Sequence, residues 1–401
     1  MIDGKLWRET CATDERLALA SGAEVSFTAC GVDFVFGAGS GAPAFELRAP
    51  DAAWQRFFQR VPPPWYQSFF GMLMRVPGTE IHGDELAFAQ HAHLVRRVLE
   101  IGRTLASGEP EPVAGPLPEA HATTGGYTTV RLDGVPHRVF YEESGTGPDM
   151  IFLHTAGADS RQFTYLMNDD RLRANRHMVA FDLPWHGRSA PPPGAAPGTY
   201  ALTTDRYAET VVALADALGL HRPVVVGASM AGEICLELAL RHPDRFGGVV
   251  ACEASDKVPG RQVSWARDPR VDQTLFVPEW VDGLMAPQSP AEYRAEVWWG
   301  YSQGGHGTFA GDILFYSGDW DATDRVAGID TGRCPVVMLT GEYDYSCTAE
   351  MSRRTAEKIP GAAFAVMPRL GHFPHAENPP LFVPHLLDAL SLIDDRTERL
   401  A

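Results

Sequence analysis

The sequence predicts an α/β protein: a mostly parallel sheet covered by helices on both faces, with a smaller α+β unit at its N-terminal end. Apolar runs rich in β-branched residues, such as 224–226, 249–252 and 334–341, end at turn residues, as buried strands do. Helix-period patterns separate these runs, and strands that alternate with helices form parallel sheets. A stretch rich in Pro and Gly, residues 109–126, separates this region from a differently patterned one before it.

Charge and cysteine usage limit the partners that the chain can have. The 401 residues include 34 Lys and Arg against 51 Asp and Glu, a net charge of −17. This excess of acid disfavours nucleic acid and anionic membrane surfaces, so a small molecule is the expected partner. The six cysteines are scattered and the first nine residues lack an apolar segment, which predicts a cytoplasmic protein without a signal peptide. No apolar run approaches the ~20 residues that span a bilayer.

Residues 1–108 are predicted to form an accessory α+β domain, followed by a linker at 109–126. The order of its elements resembles the sterol-carrier type of lipid-binding domain. A module for dimerisation or for covering the site is the alternative, and a homodimer is a possible assembly. The strand-like runs lie near 23–36 and 44–47, and the helical patterns lie near 52–59 and 85–105.

The sequence around Ser229 predicts a nucleophile at a tight turn. The β-branched run 224–226 ends at Gly227, small residues surround Ser229, and a helix-period pattern follows. A strand, a sharp turn with serine at its tip and a helix form a nucleophile elbow. The usual G-x-S-x-G pattern ends here in Ala231, which is still small enough for the helix to pack on the strand. The serine then lies at a helix N-terminus, where backbone N–H groups favour negative charge.

Two further polar residues follow strand patterns in the order that a nucleophile elbow predicts, an acid and then a histidine. Asp344 comes just after the apolar run 334–341, and His372 comes just after the run 362–367. Because the carboxyl ends of parallel strands share one edge of the sheet, both side chains are expected near Ser229.

On the evidence of these residues, the chain from about 127 to 395 resembles the α/β-hydrolase superfamily of serine hydrolases. Residues 152–157 are similar to the family's oxyanion loop. Residues 181–189 are similar to its D-x-P-G-x-G-x-S loop, with Trp185 and His186 replacing part of that pattern. The elbow and the acid and histidine follow in the family's order.

The resemblance implies an α/β-hydrolase core formed by 127–253 and 331–401, with a cap domain inserted at 254–330. In the family, the cap sits over the nucleophile and shapes substrate selection. Most aromatic residues of this insertion are assigned to its own core, and a subset is predicted to line the pocket. That subset implies an apolar, aromatic or cyclic substrate. Its predicted members are Trp298, Trp299 and Tyr301.

The chemistry of acyl transfer assigns roles to the catalytic triad. A serine hydroxyl is a poor nucleophile until an imidazole removes its proton, and a carboxylate holds that imidazole in one tautomer. Ser229 is therefore the predicted nucleophile, His372 the general base and then acid, and Asp344 the orienting carboxylate.

An oxyanion hole with two backbone N–H donors is expected beside the nucleophile. Met230, which follows the nucleophile, should supply one donor, and Ala156 in the loop after His154 should supply the other. The resemblance implies that His154 supports this loop through hydrogen bonds, and that His154 and Thr155 belong to the substrate-binding side.

Other residues compete for the acid and base positions. Glu253 ends a predicted strand and is the main alternative acid, and Glu342 and Asp321 are further candidates. His375 lies three residues after His372 in the same segment. His372 is preferred because it fits the family's G-H-x-x-x-x-E-x-P pattern, which leaves His375 a structural role or one at the rim of the site.

The predicted reaction is hydrolysis of a carboxylic ester, with lactone and amide substrates as variants. A C–C bond hydrolase acting on a β- or vinylogous diketone is the alternative with the same triad, and a non-catalytic ligand receptor is a third. His91 and His93 are two apart on a helical stretch, so they point to different faces, and the chain has no C-x-x-C pair or Walker loop. No metal or cofactor is therefore expected.

Overall fold

The computed structural model describes residues 2–19, 22–37, 42–117, 122–196 and 198–398. The described strands are β1 (Val25–Ala29), β2 (Val32–Phe36), β3 (Phe45–Arg48), β4 (Glu80–Gly83), β5 (Thr124–Leu132), β6 (Val135–Gly145), β7 (Asp149–Leu153), β8 (His177–Phe181), β9 (Val224–Ala228), β10 (Gly248–Cys252), β11 (Val336–Gly341) and β12 (Ala363–Met367).

Helices connect and flank these strands. They are α1 (Gly4–Ala12), α2 (Glu15–Leu19), α3 (Asp51–Phe57), α4 (Phe69–Arg75), α5 (Glu85–Gln90), α6 (Ala92–Ser107), α7 (Thr164–Met167), α8 (Asp170–Arg173), α9 (Thr204–Ala217), α10 (Met230–Arg241), α11 (Gln273–Asp282), α12 (Ala291–Tyr301), α13 (Thr308–Leu314), α14 (Ala349–Lys358), α15 (Pro374–Glu377) and α16 (Pro379–Glu398).

Strands β5 to β12 form one sheet in the order β12-β11-β10-β9-β7-β8-β6-β5. Neighbours from β12 to β8 are parallel, whereas β6 pairs antiparallel with both β8 and β5. Apolar side chains of α9 and α10 cover one face, and those of α7 and α16 cover the other. Because both faces are covered, every residue of β9 and β10 is buried. The predicted α/β-hydrolase fold class is confirmed.

The N-terminal unit is built on a separate four-stranded sheet in the order β2-β1-β3-β4. Its core contains Phe27, Phe34 and Phe45, with the Phe27 and Phe45 rings stacked at 5.2 Å. Helix α1 adds Trp7, whose indole N–H donates to Val98 O in α6 (2.9 Å). Sheet and helices therefore enclose one apolar core of their own.

Several elements of this unit differ from the sequence expectation, and helices α2 and α4 are among those it did not include. Helix α1 has only two buried residues, and the edge strand β4 has none, so neither has an apolar pattern that predicts it. The helix expected near 85–105 is two helices, α5 and α6. The break falls at His91, whose φ of −120° and ψ of 20° lie outside the helical region.

The stretch predicted as a linker ends earlier than its composition suggests. Strand β5 begins at Thr124, so Gly125 and Gly126 belong to the sheet and pair with Glu142 and Tyr141. A Cβ atom on Gly125 would lie 2.9 Å from the Phe140 ring, so the glycine that indicated a linker is required for packing in the strand. Residues 118–121 lie outside the described residues.

The insertion between β10 and β11 contains helices α11, α12 and α13. Its apolar side chains pack in one cluster with residues of the N-terminal unit and of the loops that follow β11 and β12. Trp280 of α11 contacts Phe70 of α4, and buried Glu279 pairs with Arg96 of α6. Insertion and N-terminal unit thus meet beside the carboxyl edge of the large sheet. Within the described ranges, no helix is both long and apolar enough to cross a membrane.

Candidate active site

Ser229 occupies a strained turn between β9 and α10. Its φ of 62° and ψ of −127° place a non-glycine residue in a region that side chains disfavour. The turn needs two glycines, because a Cβ on Gly227 would lie 2.6 Å from Ala231 Cβ and one on Gly232 would lie 2.1 Å from Cys252 O. Ala231 thus fits at the last motif position. The strain holds Ser229 at the N-terminus of α10, where the helix dipole favours negative charge.

His372 and Asp344 form a buried acid–histidine pair next to Ser229. His372 Nδ1 lies 2.7 Å from Asp344 Oδ2. The second carboxylate oxygen, Oδ1, accepts hydrogen bonds from the backbone N–H groups of Ser346 (2.7 Å) and Cys347 (3.2 Å). Ser229 and His372 line the same cavity, and all three predicted triad residues are buried. The structure therefore brings together the three residues that the sequence singles out.

The loop that holds His372 is fixed by a buried carboxyl. Glu377 accepts hydrogen bonds from the N–H groups of Gly371 and of Ala286 (3.0 Å), and His372 N donates to Leu284 O (3.1 Å). Burial raises the pKa of Glu377 to about 8. The Glu of the G-H-x-x-x-x-E pattern thus ties the histidine loop to the insertion.

Glu253, the alternative acid, lies behind Asp344 rather than against the imidazole. Its two carboxyl oxygens accept from Gly341 N (2.9 and 3.1 Å). Polar atoms of Glu253, Asp344 and His372 lie within 4.8 Å of one another, but the His372–Asp344 distance is that of a hydrogen bond. Burial, and then the charge of Asp344, raise the pKa of Glu253 far above its usual range. Both causes favour the neutral acid of Glu253, and a hydrogen bond with Asp344 contributes to the same shift in pKa.

The remaining alternatives lie apart from the triad. His375 stacks on Phe163 at 4.8 Å, and burial, reinforced by His372, lowers its pKa to about 3. Glu342 accepts from Arg369 N (3.0 Å), and Asp321 pairs with Lys257 near the surface. None of these three side chains contacts the triad.

The two amides predicted to bind the oxyanion are unused by the fold. Among the described residues, neither Met230 N nor Ala156 N has a hydrogen-bond acceptor. Met230 begins α10 directly after the serine, and Ala156 lines the same cavity as Ser229. The next residue, Gly157, donates its N–H to Asp312 Oδ2 (2.7 Å), which fixes the loop.

The structure supports the predicted role of His154 in holding the oxyanion loop, but His154 is not among the residues that line the cavity. His154 Nε2 accepts from Leu183 N (3.1 Å), and Nδ1 lies 2.9 Å from Thr155 O. The ring therefore joins the oxyanion loop to the loop after β8, away from the cavity. Burial, and then the neighbouring His186, lower the pKa of His154 to about 4. Its neighbour Thr155 does line the cavity, as predicted.

Of the three aromatic residues predicted to line the pocket, Tyr301 does and two do not. The indole N–H of Trp298 donates to Glu279 (3.0 Å), so Trp298 faces α11. Trp299 is 54% exposed and contacts the guanidinium of Arg161. Successive residues of a helix lie about 100° apart. The sequence does not show which elements pack on each face of α12. It therefore does not indicate which aromatic residue of this helix faces Ser229.

The cavity at Ser229 is small and mostly apolar. Its volume is about 10 Å³, roughly the space of one water molecule. Aromatic residues at its wall were assigned by sequence to the cap core, and Arg261 had no sequence signal. The lining residues that sequence reasoning missed are Arg261, Val281, Leu284, Phe309, Ile313, Tyr316 and Phe373.

The N-terminal unit holds the loop that contains Asp344. Arg75 donates to the carbonyl oxygens of Tyr345 (2.6 Å) and Ser346 (2.7 Å). Gln67 donates to Tyr343 O (2.8 Å). Three hydrogen bonds from the N-terminal unit, to residues 343, 345 and 346, thus fix the backbone on both sides of Asp344.

Side chains of the insertion hold the oxyanion loop. Tyr301 Oη lies 2.6 Å from Thr155 Oγ1. Asp312 of α13 accepts from Gly157 N, from His186 Nε2 (2.8 Å) and from Tyr200 Oη (2.7 Å). Burial opposes protonation of His186, but the Asp312 carboxylate outweighs it and raises the pKa of His186. The position of the oxyanion loop beside Ser229 therefore depends on side chains of the insertion.

One family and several known proteins are similar to this chain. Residues 148–379 match the family described as alpha/beta hydrolase fold. A thermophilic esterase from Thermogutta terrifontis is 20% identical, with a TM-score of 0.57 over 67% of this chain and 99% of that one. The enol-lactonase of Burkholderia xenovorans LB400 is 22% identical, with a TM-score of 0.57 over 66% of this chain and 100% of that one. At these identities the two structures show the fold alone.

One curated relative matches more than half of the chain. The 2-hydroxymuconate semialdehyde hydrolase of Pseudomonas putida is 24% identical over 257 residues, which cover 60% of this chain and 86% of that protein. The family match begins at residue 148, after the N-terminal unit.

Proposed function

Because this chain belongs to the α/β-hydrolase fold family and is a hydrolase of that type, we propose that it is a serine hydrolase that cleaves a carbonyl compound. The first candidate substrate is a carboxylic ester, with lactones and amides as variants, and the reaction proceeds through an acyl-enzyme on Ser229. The apolar lining of the cavity favours an apolar, aromatic or cyclic substrate body.

One observation supports this proposal above the others. Ser229, on a strained turn, shares a buried cavity with His372, and Nδ1 of His372 is hydrogen-bonded to Asp344. The three residues lie on separate segments of the chain. Backbone strain and a buried acid–histidine pair both reduce stability, and both are typical of sites that use them.

In the proposed acylation, His372 Nε2 removes the proton of Ser229 Oγ as that oxygen attacks the carbonyl carbon. Asp344 accepts the Nδ1–H, which leaves Nε2 as the base and stabilises the imidazolium that forms. The carbonyl electron pair moves onto oxygen, where Met230 N and Ala156 N donate to it. When the intermediate collapses, the bond from carbon to the leaving oxygen breaks, and His372 gives that oxygen its proton.

Deacylation repeats these steps with water as the nucleophile. His372 takes a proton from the water as it attacks the acyl carbon, and the same two amides stabilise the second oxyanion. The bond to Ser229 Oγ then breaks, His372 returns the proton to the serine, and the free acid leaves.

C–C bond hydrolysis is a second candidate, favoured by the similarity to the 2-hydroxymuconate semialdehyde hydrolase. In that case the carbonyl of a β- or vinylogous diketone takes the place of the ester, and the leaving group is a stabilised carbanion. The triad and the oxyanion amides keep the roles described above.

The test is hydrolysis of p-nitrophenyl esters of rising chain length, beside an aryl diketone, by wild type, Ser229→Ala and the control Ser302→Ala. We expect Ser229→Ala to lose roughly 10³-fold or more in kcat at an unchanged Tm, as triad variants do. Ser302→Ala, a serine of the insertion whose hydroxyl donates to Trp299 O, should behave as wild type. Faster cleavage of the diketone would promote the C–C hydrolase. Ester turnover that survives in Ser229→Ala would refute the assignment.

A further inference from the structure

Arg261 is a buried cation at the Ser229 cavity without an acidic partner. It is 3% exposed, and it lines the same cavity as Ser229 and His372. Among the described residues no carboxylate lies within ion-pair distance of its guanidinium. The only polar contact of the guanidinium within the described ranges is a weak one from Nη1 to Met74 Sδ (3.8 Å), and Nε has no acceptor.

The fold fixes the backbone of Arg261 and leaves its head group unsatisfied. Arg261 N donates to Ser317 Oγ (3.0 Å), and that hydroxyl donates to Val258 O (2.6 Å). The guanidinium lies over the Trp280 ring at 4.4 Å, which restricts its plane. The side chain is therefore held in position, but the donors at its end are not used.

A buried, unpaired guanidinium reduces the stability of the fold. Arginine almost always keeps its charge, and burial of a charge without a partner is among the most unfavourable arrangements in a protein. Burial lowers the pKa of Arg261, as this argument requires. Such a group is retained where a ligand supplies the missing charge. The charge of Asp344 acts on Arg261, but Asp344 is already bonded to His372 and to two amides.

We propose that Arg261 binds a carboxylate of the substrate, so that the enzyme acts on carbonyl compounds with an apolar body and one carboxylate group. The proposal rests on the proposed function and names the substrate class of that site. A planar guanidinium presents two parallel N–H donors that match a carboxylate. Much of the rest of the cavity wall is apolar, and a single buried cation balances a monoanion. The charge of the substrate would then supply the partner that the fold lacks.

Two matched substrate pairs test this preference on either side of the scissile bond. The acyl-side pair is mono-p-nitrophenyl glutarate and p-nitrophenyl 5-methylhexanoate, in which an isopropyl group replaces the carboxylate. The leaving-group pair is 4-acetoxybenzoate and 4-acetoxybenzamide. Each is measured with wild type, Arg261→Met, Arg261→Lys and the control Arg267→Met, an exposed arginine of the same insertion. Rates with Ser229→Ala are subtracted as background.

We expect wild type to prefer the anionic member of at least one pair by about 10-fold or more in kcat/KM. Arg261→Met should lower kcat/KM for that member by about 100-fold and for its neutral partner by less than about 3-fold, because only the anion loses a buried charge partner. Arg261→Lys should retain part of the preference, and Arg267→Met all of it. A wild type without preference in either pair, or equal losses for both members, would overturn the proposal.

A labelling experiment covers an enzyme that rejects all four esters. A neutral fluorophosphonate should label Ser229, and glutarate or benzoate should slow the labelling of wild type but not of Arg261→Met. Labelling that neither anion slows in wild type would overturn the role of Arg261. Absence of labelling in wild type would refute the proposed function itself, so the two failures are distinguishable.

Discussion

The two loops beside Ser229 are held by different parts of the chain. Arg75 and Gln67 of the N-terminal unit bond the backbone around Asp344. Tyr301 and Asp312 of the insertion hold the oxyanion loop. In the proposed mechanism, the first loop positions a charge behind the histidine, and the second supplies the Ala156 N–H to the developing oxyanion.

The difference lies in the type of contact. The acid loop is held through its carbonyl oxygens by charged and amide donors, whereas the oxyanion loop is held mainly by one hydroxyl pair and one carboxylate that accepts its N–H. Hydrogen bonds to charged donors contribute about 1.5–3 kcal/mol each and neutral ones about 1 kcal/mol. The two hydrogen bonds from Arg75 should therefore contribute more than the neutral pair of Tyr301 and Thr155, and the following predictions rank from the largest effect to the smallest.

The carboxylate of Asp344 should have the largest effect. We expect Asp344→Asn to lower kcat by about 10⁴-fold, because an amide does not hold the His372 tautomer that leaves Nε2 as base. Glu253→Gln, behind it, should cost about 10-fold or less, since the amide still donates a hydrogen bond to Asp344. Single-turnover kinetics with a p-nitrophenyl ester measures both. Equal losses in the two variants would mean that Glu253 shares the orienting role.

The anchor of the acid loop should come next. Arg75→Met removes the two charge-assisted hydrogen bonds to Tyr345 O and Ser346 O. We expect kcat to fall by about 100-fold with KM nearly unchanged, because displacements of about 1 Å in a catalytic group cost that much. Arg60→Met, an exposed arginine of the same unit, is the matched control. A loss confined to KM would show that the N-terminal unit acts on substrate binding instead.

The anchor of the oxyanion loop should have a smaller effect. Tyr301→Phe removes the hydroxyl that lies 2.6 Å from Thr155 Oγ1, but Thr155 keeps its hydrogen bonds with Gln162. The loss of one neutral hydrogen bond predicts a decrease of about 5-fold in kcat. Steady-state kinetics on the same ester measures it, with Tyr165→Phe as control. A decrease in kcat as large as that of Arg75→Met would show that the rate depends equally on the anchors of the two loops.

His375 should affect stability rather than rate. Its pKa is about 3 in the fold and about 6.5 in the unfolded chain. Between these values only the unfolded state binds the proton, so the free energy of unfolding falls as pH drops below about 6.5. At pH 5 the loss is about 2 kcal/mol relative to pH 7.5. His375→Phe keeps the stacking on Phe163 and removes the titrating group.

Urea unfolding at pH 7.5 and 5.0 measures this effect. We expect the decrease in stability between the two pH values to be smaller in His375→Phe than in wild type by about 2 kcal/mol, with kcat at pH 7.5 unchanged. An identical pH dependence in both proteins would show that His375 is protonated in the fold.

The sequence predicted the elements whose pattern is local. The buried strands, the turn at Ser229 and the residues after β11 and β12 each follow from a short run of neighbours. Contacts between distant segments have no such signal: Arg75 meets Tyr345 across 270 positions, and nothing near Arg261 indicates that it lines the cavity. The partner of His154 has no local signal either, because Leu183 lies on another loop.

The most direct test is the site of covalent labelling. Wild type is treated with a neutral fluorophosphonate, and the adduct is located by peptide mass spectrometry, with Ser229→Ala and Asp344→Asn in parallel. We expect one adduct per chain, on Ser229. It should be absent in Ser229→Ala and should form far more slowly in Asp344→Asn. An adduct on another residue, or no adduct in wild type, would contradict this expectation.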